Sequence, residues 1–217
     1  MTISDNTVAI IGTGNIGGRL AAGFAAGGQD FLLAGRDEGA ARKIASDLGG
    51  HAEVVSVEEA VERADVLVPA VWFDVFKQLI AQYGDRLAGK VIIDPTNPVG
   101  PDGKGGFQKL IGAQESAGQI LAGLLPPGAR LVKAFGTLSA DTLSAAAWRE
   151  PERAVLFYAA DDAAAGDQVA DLIRTYGYEP VRVGGLDQSI RLEVFGDLHE
   201  LGALGRPVTT TEALKAI

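Results

Sequence analysis

The chain has no cysteine, which excludes disulfides, thiolate metal sites and a catalytic thiol, and fits a reducing compartment. No apolar run approaches the ~18 residues of a membrane span. The leading MTISDNTVAII has no basic segment followed by a long apolar stretch, so we expect a cytoplasmic protein without a membrane partner. Positive charge is also scarce, with 19 Lys and Arg against 28 Asp and Glu and a net charge of -9. That balance opposes contact with phosphate backbones and argues against a nucleic-acid partner.

What remains is ample for a core. Hydrophobic residues make up 47% and charged residues 22% of the chain, far from the composition of disorder. At 217 residues one main core with a small appendage is expected. Short runs of Val, Ile and Leu alternate with longer amphipathic stretches, the pattern of β-α-β units around a mostly parallel sheet covered on both faces. Predicted strands cover 8–11, 31–35, 52–55, 66–71, 91–94, 131–135, 154–158 and 180–183. Ile16, Leu20 and Phe24 recur at helical spacing between the first two strands and stop at Gly27-Gly28. Asp37 and Ser56 are placed to cap helices, and Ser116 with Gln119 and Thr209 with Glu212 resemble capping boxes. From Asp187 a terminal helix is predicted with Leu192, Phe195, Leu198 and Leu201 on one face. We therefore divide the chain into a main domain, 1–185, and a small C-terminal segment, 186–217, that packs on the cleft or on a second subunit.

The first predicted strand breaks into glycines in VAIIGTGNIGG. Gly12, Gly14 and Gly17 keep the G-x-G-x-x-G spacing between a strand and a helix, which is the context a dinucleotide fingerprint requires. Gly12 permits the tight turn, Gly14 lets backbone approach a pyrophosphate, and Gly17 lets helix and strand pack closely. The amides around Thr13, Gly14, Asn15 and Ile16 then face an anion at the helix start. The fold class is α/β, a Rossmann-type doubly wound sheet with a small C-terminal helical extension.

Cofactor choice is read at the end of the second strand, LLAGRD. No carboxylate ends the strand, and Arg36 stands where a guanidinium pairs with the 2'-phosphate of NADP. Arg42 and Lys43 add positive charge one turn later, and Asp37 serves as a helix cap. NADP is thus preferred over NAD.

The reacting partner is less defined. The residues four after Tyr83, Tyr158, Tyr176 and Tyr178 are Leu87, Asp162, Pro180 and Arg182, so no Tyr-x-x-x-Lys acid is present. His51 starts a predicted strand; His199 lies beside Leu198 and Leu201, which favours packing over a place in the crevice. Without a general acid, the best match is hydride exchange with a second redox cofactor, in which the protein mainly orients two rings. Residues after the fourth strand (Ala70, Val71, Trp72), the fifth (Thr96, Asn97, Pro98) and the sixth (Ala134, Phe135) would line the crevice. Trp72 and Phe135 read equally well as core aromatics. The Gly/Pro-rich loop from Asn97 to Phe107 is either a substrate loop or a plain surface connection. Reduction of a flavin, a ferric complex or a small carbonyl or imine stays open, as does an NADPH-binding module without turnover.

VAIIGTGNIGG, Gly35-Arg36, VLVPAVW, DPTNPVG, LVKAFGTLSA and Arg191-Leu192-Glu193 together resemble the NADP oxidoreductases that use the deazaflavin coenzyme F420, and the related cytosolic domain of membrane metalloreductases. The likeness spans most of the chain. It implies a homodimer that passes hydride between NADPH and the deazaflavin in the cleft. Thr13, Arg36 and the glycines would hold NADP, with Asn97, Pro98, Phe135 and the terminal helix near the small-molecule redox substrate.

Overall fold

A computed structural model describes residues 6–217; the sequence reading of the leading residues 1–5 falls outside them. Ten strands and nine α-helices alternate along the described residues. The first half runs β1 (Val8–Ile11), α1 (Asn15–Ala26), β2 (Phe31–Ala34), α2 (Glu38–Ser46), β3 (Ala52–Val54), α3 (Val57–Arg63), β4 (Val66–Pro69), α4 (Phe73–Tyr83) and β5 (Val91–Asp94). The second half runs β6 (Val99–Pro101), β7 (Phe107–Lys109), α5 (Ala117–Leu124), β8 (Arg130–Lys133), α6 (Ala140–Ala145), β9 (Val155–Ala160), α7 (Ala163–Thr175), β10 (Glu179–Arg182), α8 (Ser189–Leu192) and α9 (Thr210–Ala213).

Eight strands form one sheet in the order β10-β9-β8-β5-β4-β1-β2-β3. The strand order reverses between β1 and β4, and in doubly wound sheets the ligand crevice lies beyond the carboxyl ends at such a point. Pairing is parallel throughout except between β8 and β9. Every residue of β1, β2, β4 and β5 is buried, which is why these strands read as continuous apolar runs instead of alternating ones. Alternation survives in which core each side chain enters. Val8 and Ile10 join Leu20, Phe24 and Leu33 on one face, whereas Ala9 and Ile11 join Leu32, Leu67, Phe76 and Ile92 on the other.

The expected caps form. Asp37, Ser56 and Ser116 each accept an amide from the first turn of their helix, and Thr209 with Glu212 makes the reciprocal box. At Ser116 the hydroxyl instead meets the Gln119 side chain at 3.3 Å.

Two regions depart from the sequence reading. The Gly/Pro-rich stretch is a hairpin, β6 paired antiparallel with β7, whose turn is closed by Asp102 Oδ1 accepting the amides of Lys104 and Gly106 at 2.7 and 2.8 Å. Those amides hold the exposed Asp102 carboxyl below its ordinary range. The terminal helix ends after one turn at Leu192. Its expected face is split: Leu192 and Leu198 are buried while Phe195 and Leu201 are exposed. The helix stops because the Val194 amide donates to the Asn97 side chain at 2.7 Å and Phe195 turns to φ 74, a region non-glycine residues rarely enter. Turns follow, and Leu192, Leu198, Val208 and Ala213 cover Val155, Phe157 and Ala159 of β9. The tail thereby closes the sheet face that no long helix covers.

Candidate functional site

The turn between β1 and α1 is determined by what cannot fit there. Gly12 sits at φ 123, and a Cβ on it would lie 2.3 Å from the Ala70 carbonyl oxygen; one on Gly17 would lie 2.0 Å from that of Gly12. Both distances are impossible for real side chains, so glycine is obligatory at each. Gly14 is different, because a Cβ there meets nothing within 4 Å. Its surroundings are open, as an approaching ligand needs. Gly14 is also the N-cap of α1, and no side chain caps that helix, leaving the first-turn amides of Asn15, Ile16 and Gly17 without intrahelical acceptors. Open space, free amides and a helix dipole together suit a pyrophosphate.

Next to this turn, the Gly12 amide donates to the Ala34 carbonyl at 2.8 Å, and the Thr13 methyl lies 3.0 Å from where a Gly35 Cβ would stand. Arg36 follows, exposed and without a partner among the described residues. Arg42, by contrast, is paired with Glu38 at 2.5 Å, so its charge is already compensated. The Asp37 carboxylate accepts the Ala40 amide at 3.0 Å and is committed to capping α2. Ala70 and Val71 are half-buried beside Gly12, and Trp72 is exposed at the start of α4.

The other side of the crevice is built by side chains. The Asn97 amide group is used at both ends, its Nδ2 donating to the Gly136 carbonyl at 3.0 Å and its Oδ1 accepting the Val194 amide at 2.7 Å. Pro98 is buried and its carbonyl accepts the Leu110 amide at 2.8 Å, holding the hairpin. Ala134 and Phe135 are corrections to the expected lining. β8 ends at Lys133, and Phe135, at φ 62, turns its ring inward, 5.8 Å from the ring of Phe24 and 5.6 Å from that of Tyr176. With 0% of it exposed, the ring offers no face to a ligand; the aromatic cluster of the core has taken it.

Beneath Asn97 lies a buried ionic cluster that the sequence reading did not single out. Lys133 Nζ donates to Asp94 Oδ2 at 2.8 Å and to the Thr96 carbonyl, and Glu193 Oε1 is 3.8 Å away. All three side chains are at most 1% exposed. Asp94 Oδ1 accepts the Thr96 amide and hydroxyl at 2.8 and 2.7 Å, and Glu193 Oε1 accepts the Gly118 amide at 3.2 Å. Burial pushes the Glu193 carboxyl above its ordinary range, against the opposing pull of Lys133 and two α5 amides. A signal was present in the sequence: Asp94 and Lys133 are opposite charges at the ends of two otherwise apolar runs, and they face each other in the parallel register.

His199 is also buried, its Nδ1 accepting the Leu201 amide at 2.9 Å, and burial lowers its pKa to about 4. His51 sits at the opposite end of the sheet, before β3, 2.7 Å from Asp30. Burial raises the phenols of Tyr176 and Tyr178, and both donate to backbone carbonyls. None of these is an acid poised in the crevice.

A doubly wound sheet with a glycine-rich, uncapped helix start at its switch point defines a dinucleotide-binding protein. The family model for coenzyme F420-dependent NADP oxidoreductases matches residues 7–98. The F420-dependent NADP reductase of Methanothermobacter thermautotrophicus is 31% identical over 86% of this chain and 84% of its own. The chain belongs to this family of NADP oxidoreductases. It is also 28% identical, over 86% of its length, to the metalloreductase STEAP3 of Rattus norvegicus, of which it spans 35%. Among solved structures, a hypothetical protein from Sinorhizobium meliloti is similar with a TM-score of 0.82 and 29% identity, covering 95% of this chain and 97% of that one. A putative F420-dependent NADP reductase from Arthrobacter shares the fold, with a TM-score of 0.72 and 22% identity over 85% of this chain and 87% of that one.

Proposed function

We propose that this protein binds NADPH across the β1–α1 turn and passes its hydride to a planar redox cofactor, with the deazaflavin coenzyme F420 as first candidate. When bound, NADPH supplies the hydride. Gly12, Thr13, Gly14, Asn15, Ile16 and Gly17 hold the pyrophosphate through backbone amides, and Arg36 pairs with the 2'-phosphate. Ala70, Val71 and Trp72 flank the nicotinamide end, and Asn97 orders the floor on which the acceptor ring rests. The observation that carries the reading is the free Arg36 beside an open Gly14, together with ionisable groups beneath the floor that are too buried to touch a substrate. A site that orients two rings without an acid suits hydride exchange between cofactors. The sequence kinship to a reductase so named supports F420.

The test mixes protein, NADPH and oxidised coenzyme F420 in a stopped-flow instrument. Loss of the deazaflavin absorbance is expected; no change at high enzyme concentration would remove F420 as acceptor. A second reading, reduction of a flavin or a ferric complex, rests on the similarity to a metalloreductase and is distinguished by flavin-dependent NADPH oxidation or ferric reduction. Turnover with any acceptor defeats a purely NADPH-binding role. We further propose a cytoplasmic homodimer; the exposed Leu201, Leu214 and Ile217 of the tail support the dimer, which sedimentation tests.

A further inference from the structure

Three separate pieces of chain meet under the crevice floor, and one ammonium touches or approaches all of them. Lys133, at the end of β8, bonds Asp94 Oδ2 and the Thr96 carbonyl of the loop after β5, and stands 3.8 Å from Glu193 of the tail. The Thr96 carbonyl belongs to the peptide group that leads into Asn97. Holding that carbonyl sets the backbone from which Asn97 reaches Gly136 on one side and Val194 on the other. Beyond Val194 the chain is forced into φ 74 at Phe195, a conformation retained only where its surroundings over-determine it.

The cluster is a poor device for stability alone. Removing three ionisable side chains from water is costly, and well-packed apolar side chains often serve a core as well or better. Here one cation faces two carboxyl groups, and Glu193 Oε2 has no partner at all. What the charges provide that apolar packing does not is direction: each bond specifies where one segment lies relative to another.

We propose that Lys133 is a positioning residue that aligns residues 95–98, 134–137 and 193–195 into one rigid floor for hydride transfer. This rests on the reading above for the reaction, but the alignment is tested separately. The variant is the double substitution Asp94→Asn with Lys133→Met, which removes the directly bonded charge pair, nearly conserves volume, keeps the Oδ1 acceptor for Thr96 and leaves Glu193 as the one ionisable group of the cluster. Hydrogen exchange is measured on the full chain by mass spectrometry. In the folded double variant, exchange in peptides spanning 95–98 and 193–196 is expected to rise about tenfold or more, while the peptide spanning 8–18 is unchanged. NADPH affinity by fluorescence titration stays within about twofold, and kcat with coenzyme F420 falls about tenfold to a hundredfold, because only orientation of the acceptor is lost. If the double variant does not fold, Asp94→Asn alone keeps the side-chain shape and reads the same peptides, with a smaller rise expected. Wild-type exchange in those peptides in the folded variant, or loosened peptides with kcat unchanged, overturns the proposal. Failure of the unaltered protein to reduce any acceptor would instead defeat the functional reading, and the exchange result alone would then decide whether Lys133 aligns the floor.

Discussion

The two walls of the crevice are built by opposite means. On the β1 side, backbone meets backbone: Gly17 is pressed against the carbonyl oxygen of Gly12 within the turn, and Gly12 against that of Ala70 at the end of the neighbouring strand. On the β5–β8 side, side chains bridge segments far apart in sequence, 39 residues for Lys133 to Asp94 and 97 for Asn97 to Val194. The first wall presents free amides to an anion, a task common to every dinucleotide. The second depends on contacts with the chain's own tail.

The contrast is broken most severely at Lys133. The single substitution Lys133→Met leaves Asp94 buried without its cation and is expected to cost about 3 to 5 kcal/mol, measured by urea unfolding. The β1 wall contains no side chain whose loss strands a buried charge.

A pH series separates the walls next. The folded pKa of His199 is lowered from 6.5 to about 4, so the unfolded chain takes up the proton first and stability is lost as pH falls from 6.5 towards 4. The loss attributable to His199 is about 3 kcal/mol across that window. Glu193 works the other way: its folded pKa is raised, so its protonation on acidification offsets part of the loss. Comparing the melting temperature of the wild type with that of His199→Gln from pH 7 to pH 4.5 isolates the histidine, since the variant should show the shallower decline.

On the first wall, Arg36→Ala should leave stability unchanged, because the exposed guanidinium has no partner to lose. It should weaken NADPH binding by about 1.5 to 3 kcal/mol and NADH binding hardly at all, as read by fluorescence titration. Equal affinity of the unaltered protein for the two nucleotides would contradict the role given to Arg36.

The smallest effect is a gain. Phe195→Gly removes the Cβ from a left-handed residue whose ring is 56% exposed, and should raise stability by about 1 kcal/mol in thermal melts. A loss instead would show that the ring contributes more packing than its exposure indicates.

The order of strands and helices, four N-caps and the glycine turn were legible because each depends on neighbours within a few residues. Val8–Ile11 reads as a buried strand from composition alone, and the Gly12, Gly14 and Gly17 spacing is visible in consecutive residues, although the carbonyl that excludes a side chain at Gly12 belongs to the distant Ala70. The terminal helix was misjudged because Leu192, Phe195, Leu198 and Leu201 fit helical periodicity, while the bond that ends the helix comes from Asn97, a residue distant in sequence. For Phe135, which reads equally well as crevice lining or core, the structure selects the core. Its position just past a strand end points to the crevice, but a turn at φ 62 delivers it to Phe24 and Tyr176.

Periodicity and local spacing act along the chain, so the strands, the helices and the glycine pattern of the turn are written in consecutive residues. Charge pairing and side-chain clamps act through space, and their energies depend on burial that no single segment controls. Lys133, Asp94 and Glu193 became one cluster only when β8 paired with β5 and the tail folded across both. Packing on Phe24 and Tyr176, likewise a contact between distant segments, drew in the ring of Phe135.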